Sequence, residues 1–158
     1  MDQGKPERHV VSASATIPAR PERVYALIAN YKDGHERILP RQFNGLVVEQ
    51  GGVGAGTVIR VQMRILGKKQ TFRAAITEPE PGRVLVETAL DGNGAVTTFT
   101  VSPGNAPADS HVTISSELPV RSGIVGSAEK KLMTLLLRPI YVKELENLAR
   151  VATGPFGG

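Results

Sequence analysis

His35 is the residue of this chain best placed to do chemistry. It falls in a short helical insert beside Tyr31, Glu36 and Arg37, just before Ile38, Leu39 and Pro40. An imidazole titrates near neutrality, so at the mouth of a pocket it would serve as a general acid or base. Tyr31 is the second candidate, with Glu36 and Arg37 as possible helpers. The ordinary reading of such a position is a partly exposed loop histidine. The other two histidines invite less: His9 begins a strand, and His111 shares the polar phase of another strand with Thr113. Both are expected at the surface.

Other chemistries lack their residues. No serine sits in a Gly-x-Ser-x-Gly turn, so no nucleophile is named. The chain has no cysteine. No two histidines stand at ligand spacing and no carboxylate cluster resembles a calcium loop, so neither a metal nor any other cofactor is expected. Gly51–Gly56 (GGVGAG) has the spacing of a nucleotide loop. A phosphate site needs those glycines between a strand and a helix, and here a strand follows. The glycines, Gly52 and Gly54 among them, read instead as a tight turn that could form the lip of a pocket.

These residues must be positioned by a sheet and one long helix. His9–Ile17 alternates apolar and polar residues; Pro18 ends it, and Pro21 suits the first turn of a short helix. Asp33 is a candidate cap for a second short helix running through His35 to Leu39. Strand patterns follow at Leu46–Gln50, Thr57–Ile65, Gln70–Thr77, Arg83–Leu90, Ala95–Ser102 and His111–Leu118. Glycine, proline and aspartate separate them, which favours hairpins and an antiparallel meander. Ser122–Gly126 reads as a flexible joint. Ser127 would cap a last amphipathic helix whose Pro139 predicts a kink near 135–139. Residues 1–7 and 153–158 read as flexible tails of one domain spanning 1–158. The class is therefore α+β: a curved antiparallel sheet around a C-terminal helix, with two short helices after the first strand.

Composition narrows the partners. At 158 residues, with 41% hydrophobic and 22% charged residues, the chain has the make-up of one globular domain with a sizeable core. The formal charge of +4 permits weak attraction to anions. Aromatics are only 4% and tryptophan is absent, so stacking platforms are missing and no nucleic-acid partner is expected. No apolar run is long enough to span a bilayer, and the polar start does not read as a signal peptide, so the expectation is a cytoplasmic protein, a monomer or weak dimer. Arg60, Arg64 and Arg73, with Lys68 and Lys69, read as the solvated outer face of a hairpin, or as a contact for an acidic protein partner.

If the helix faces the concave sheet, the inward set includes Ile59, Val61 and Met63; Phe72, Ala74 and Ile76; Val84 and Val86; Phe99 and Val101; and Val112, Ile114, Ser116 and Leu118. Leu132, Leu136 and Ile140 would face them. Fully packed, this is a core; incompletely packed, it is an apolar cavity for a small ligand. Its entrance would lie at His35, Ile38, Leu39, Pro40, Gly52 and Gly54. Thr88, Thr97 and Ser116 are its weak donors.

The stretches Ile17–Ala29 (IPARPERVYALIA), His35–Pro40, Gly51–Ile59, Thr77–Glu87, Thr97–Val101 and Leu137–Leu145 together resemble the START-like helix-grip (SRPBCC) superfamily, in particular its polyketide cyclase/dehydrase and lipid-transport group. The resemblance covers about residues 8–152. It implies seven antiparallel strands gripping the C-terminal helix, and a cavity for a lipid, polyketide or other apolar molecule. Members include carriers, receptors and cyclases that move protons on a bent substrate. The primary expectation is binding, possibly transport, of an apolar ligand. The alternatives are a cyclase, aromatase or dehydratase, and a protein-interaction module.

Overall fold

The computed structural model describes residues 7–92 and 94–155. Residues 1–6 and 156–158, most of the two expected tails, lie outside the described residues; Glu7 already belongs to the first strand. The elements run β1 (Glu7–Ile17), α1 (Pro21–Ala29), α2 (His35–Ile38), β2 (Phe43–Gln50), β3 (Val58–Ile65), β4 (Lys68–Glu80), β5 (Val84–Ala89), β6 (Val96–Pro103), β7 (Ser110–Val120) and α3 (Gly123–Ala152). The sheet order is β1-β7-β6-β5-β4-β3-β2, with every neighbouring pair antiparallel. Consecutive strands from β2 to β7 are neighbours, as short glycine-rich turns require. β1 returns to the far edge against β7, so the two short helices cross from one end of the sheet to the other.

The alternation of side chains gives the sheet a buried inner face. On β7, Val112, Ile114, Ser116 and Leu118 are buried, and on β3 so are Ile59, Val61 and Met63. The β3–β4 hairpin turns through Leu66 and Gly67, both at positive φ (52° and 75°), between the paired residues Ile65 and Lys68. That is the two-residue turn whose twist suits a hairpin. It leaves Leu66 74% exposed.

Three local readings change. β5 is out of phase by one residue: Leu85 is fully buried, and Glu87 shares its face, whereas Val84, Val86 and Thr88 lie on the other face. A one-residue slip moves every side chain of a strand across the sheet. The segment Ser122–Gly126 is not a joint. Ser122 is the residue before the helix, and α3 begins at Gly123. Finally, Ser127 lies inside α3 rather than at its cap, and Pro139 falls within the same helix, where it has no N–H to return to the Leu135 carbonyl.

Candidate functional site

Between the inner face of the sheet and α3 lies a cavity of about 490 Å³. Most of its wall is apolar, and it lies within the range of ~300–1,000 Å³ usual for small-molecule sites. Ile59, Val61, Met63, Phe72, Ala74, Phe99, Ser116 and Leu136 form part of that wall. Ile76, Val101, Ile114 and Ile140 are buried but lie outside it. Val86 is on the opposite face of β5 and is replaced inside by Glu87 and Ala89. Leu132 is 49% exposed. The helix is rotated so that Met133, Leu137, Tyr141 and Glu144 look inward instead.

The expected entrance also moves. Leu39 borders the cavity, but Ile38, Pro40, Gly52 and Gly54 do not. The exposed wall residues are Leu66, Lys68 and Gln70, at the β3–β4 turn, so the open end faces that hairpin and the first half of α3. The glycine turn instead braces the segment before α2. Tyr31 N–H donates to the Gly52 carbonyl at 2.8 Å, and Gly54 N–H donates to the Ala29 carbonyl at 2.9 Å. Gly54 has φ +65°, and a Cβ there would meet the Glu78 carboxylate at 2.5 Å. Only glycine suits that position.

His35 is not a loop histidine at the mouth but a wall residue only 2% exposed. The chain turns into it through Asn30. The Asn30 side chain accepts the N–H groups of Lys32 and Asp33 at 3.1 and 3.2 Å. Its carbonyl accepts those of Gly34 and His35 at 2.9 and 2.7 Å. Gly34 packs directly on α1; a Cβ there would lie 2.6 Å from the Leu27 carbonyl oxygen. Backbone cannot yield as a side chain does. Gly34→Ala is therefore expected to cost about 1–3 kcal/mol, the range for overpacking. It should also displace His35, which a denaturation curve paired with the imidazole NMR resonances would register.

Around His35 stand five groups from four parts of the chain. The ring stacks on Tyr31, centroids 4.4 Å apart, and meets the edge of Phe99 at 5.6 Å. Nδ1 lies 2.8 Å from the Ile28 carbonyl, which can only accept, so Nδ1 carries a proton. That leaves Nε2 as the ring's acceptor nitrogen. Nε2 is 3.6 Å from Glu87 Oε1 and 3.9 Å from Glu144 Oε1. Both separations are too long for a direct hydrogen bond and suit a bridging oxygen. The Tyr31 hydroxyl donates to Glu87 Oε1 at 2.6 Å. Burial, then the Glu87 charge, holds the Tyr31 hydroxyl protonated.

Glu144 is buried, and it accepts no hydrogen bond from any described residue. Burial first, and then the Glu87 carboxylate, pushes its pKa well up and favours the neutral acid. Beside this group, the Tyr141 hydroxyl donates to Ser116 Oγ at 2.5 Å, and Ser116 Oγ is 2.6 Å from Thr97 Oγ1. Burial pushes Tyr141 up to about 12. The floor of the cavity thus carries an imidazole, two carboxyl groups and three hydroxyls.

Glu36 and Arg37 are exposed and point away from this cluster. Glu87, Tyr141 and Glu144 take the places expected of them. Glu87 was hidden by the phase of β5. Tyr141 and Glu144 were legible as neighbours, three apart, of Leu145 and Leu148 on the inward face of α3. His9 is partly buried, with Nε2 2.8 Å from Thr134 Oγ1, while His111 is exposed as expected. Among the described residues no group of three or more His, Asp or Glu is arranged to hold a metal ion, and no helix is long and apolar enough to cross a membrane.

A curved antiparallel sheet closed by one long helix over a cavity is the helix-grip architecture of START-like proteins. Residues 8–153 match the family described as polyketide cyclase / dehydrase and lipid transport, and the chain belongs to that family. A search of curated proteins finds no match. Among solved structures, the chain is similar to the KanY protein, with 26% identity, a TM-score of 0.81, and coverage of 94% of this chain and 99% of that one. It is similar in fold to the Zhui aromatase/cyclase from a Streptomyces species, at 12% identity and a TM-score of 0.76, covering 96% and 99%. It is also similar in fold to a START superfamily protein from Mycobacterium smegmatis, at 17% identity and a TM-score of 0.74, covering 92% and 99%. The family match points to ligand binding or polyketide cyclase-type roles.

Proposed function

We propose that the protein takes a largely apolar small molecule into the cavity and moves a proton at its polar end, in chemistry of the cyclase or dehydratase type. The observation that carries this reading is Glu144. It is a carboxyl 4% exposed on the cavity wall that accepts no hydrogen bond from any described residue, a position costly for its charged form. Local rules are broken in this way chiefly at functional sites. For a β-hydroxy carbonyl ligand, Nε2 of His35 takes the proton on the carbon beside the carbonyl. Glu144, as the neutral acid, gives its proton to the departing hydroxyl, which leaves as water. Glu87, held by Tyr31, stabilises the imidazolium that forms. The step is redox-neutral and needs no further reactant.

A carrier is the second reading, favoured by the extent of apolar wall relative to the polar floor. Native mass spectrometry of freshly purified protein, with identification of any molecule released on denaturation, tests both. A released molecule supplies the substrate class for turnover assays. His35→Ala and Glu144→Gln should then lose about 10²–10⁴-fold in kcat, the usual worth of a general acid or base. Turnover unchanged in His35→Ala would remove His35 from the mechanism. A molecule bound and released unaltered would leave the carrier.

A further inference from the structure

Alongside the open end of the cavity lies a second recess, of about 430 Å³, lined by Arg41, Gln42, Arg64, Ile65, Leu66, Leu136 and Ile140. Ile65, Leu66 and Leu136 belong to both hollows, so the two adjoin across a shared apolar lip. The backbone brings the two arginines together: Arg64 N–H donates to the Gln42 carbonyl at 2.8 Å, one step beyond the paired residues Phe43 and Met63. Neither guanidinium forms an ion pair or hydrogen bond with any described residue. Arg73, on β4, differs in this respect and donates to Glu49 at 2.8 Å. Lys68 stands on the same side, on the cavity wall itself. No carboxylate lines the second recess, and the two on the cavity wall, Glu87 and Glu144, lie at the deep end with His35.

The two hollows together are therefore electrically polarised, with acid and base groups at the floor and free cations at the mouth. From this we infer that the ligand is an amphiphile with an anionic head, a carboxylate or a phosphate, seated on Arg41 and Arg64, with its apolar body in the cavity. This rests on the reading of the cavity as a site for an apolar ligand, and it adds the charge and direction of that ligand. Guanidinium donors match the paired oxygens of either head group and stay charged at any working pH. An anionic head fixed at the mouth also keeps a negative charge away from the acidic floor at Glu87, where it would be repelled.

The test compares titration calorimetry of dodecanoate, dodecyl phosphate, dodecanol and inorganic phosphate with the wild-type protein and with Arg41→Gln/Arg64→Gln. Both arginines are exposed and unpaired among the described residues, so the double variant should fold normally, which a thermal melt verifies. The wild type is expected to bind at least one of the charged chains about tenfold more tightly than dodecanol. The double variant should lose that preference and keep its affinity for dodecanol. Preference for dodecanoate alone assigns a carboxylate head, and preference for dodecyl phosphate alone assigns a phosphate; either supports the inference. Equal binding of both charged chains and the alcohol, a preference that survives in the double variant, or inorganic phosphate binding as tightly as dodecyl phosphate would overturn it. Binding of none of the three chains would instead sink the apolar-ligand reading, and this inference with it.

Discussion

Glu144→Leu should stabilise the protein while abolishing any proton transfer in the cavity. The carboxyl is buried, receives no hydrogen bond from a described residue, and is pushed well above its ordinary pKa of 4.5 by burial and by Glu87. A group whose folded-state pKa is raised binds its proton more tightly in the folded chain than in the unfolded one. Its favourable contribution is complete below the unfolded value and is lost as pH rises through the folded value. The wild type should therefore lose stability through this residue as pH rises above the ordinary carboxyl value of 4.5. Leucine is close in size and carries no charge to desolvate, and replacing a buried polar group that lacks partners by an apolar one is commonly stabilising. The expected gain is about 1–3 kcal/mol at pH 8, shrinking as pH falls. Urea denaturation of both proteins as a function of pH measures it. A variant less stable than the wild type at every pH would mean that Glu144 is a satisfied structural group. Glu144→Gln separates charge from polarity: it should remove the pH-dependent part of the difference and retain the cost of an unpartnered polar group.

That stability and chemistry oppose each other at Glu144 also explains what the sequence conveyed and what it did not. The sheet was legible because alternation is a local signal. Ile59, Val61 and Met63 on β3, and Val112, Ile114, Ser116 and Leu118 on β7, each read inward on period alone. β5 failed for the same reason. In Val84–Ala89 both phases contain an aliphatic residue, and the phase with valines at 84 and 86 looks more like core than one containing a glutamate. The true phase buries Leu85 and carries Glu87 in with it. His35 is conspicuous in the sequence, but its chemical partners are not its sequence neighbours. Glu36 and Arg37 diverge from it on the short helix, while Glu87 and Glu144 arrive from a strand and a helix far along the chain. No local spacing records such a meeting. The glycine turn was read by its flexibility, as a lip. Its carbonyl at Gly52 and its N–H at Gly54 instead hold down the segment that carries Tyr31. The helix face was nearly right at Leu136 and Ile140. Leu132 misled because the first half of α3 has leucines on its outer side as well, which leaves helical periodicity without contrast.

Ala74→Phe should cost little stability and most of the ligand affinity. Ala74 lies on the cavity wall, opposite Ile59 on β3 and Ala89 on β5 in the strand register, so a larger side chain there enters the space a ligand would use. In a close-packed core the added ring would strain its neighbours and cost about 1–3 kcal/mol. In an open cavity it buries apolar surface instead, and such fillings commonly contribute about +0.5–2 kcal/mol. The sign of the stability change thus reports whether the space is available, independently of any ligand. Binding of dodecanol, measured on the same sample, should weaken at least about tenfold, as expected when a pocket's volume is taken up by protein. Ser116, the other small residue on this wall, cannot serve in the same test. Its Oγ accepts the Tyr141 hydroxyl at 2.5 Å and lies 2.6 Å from Thr97 Oγ1, so a bulky residue would break the hydroxyl cluster as well as fill the space. A loss of stability in Ala74→Phe equal to the loss of binding energy would identify a filled core. Unchanged stability with binding lost would identify a cavity kept open, at a cost in packing, for a ligand.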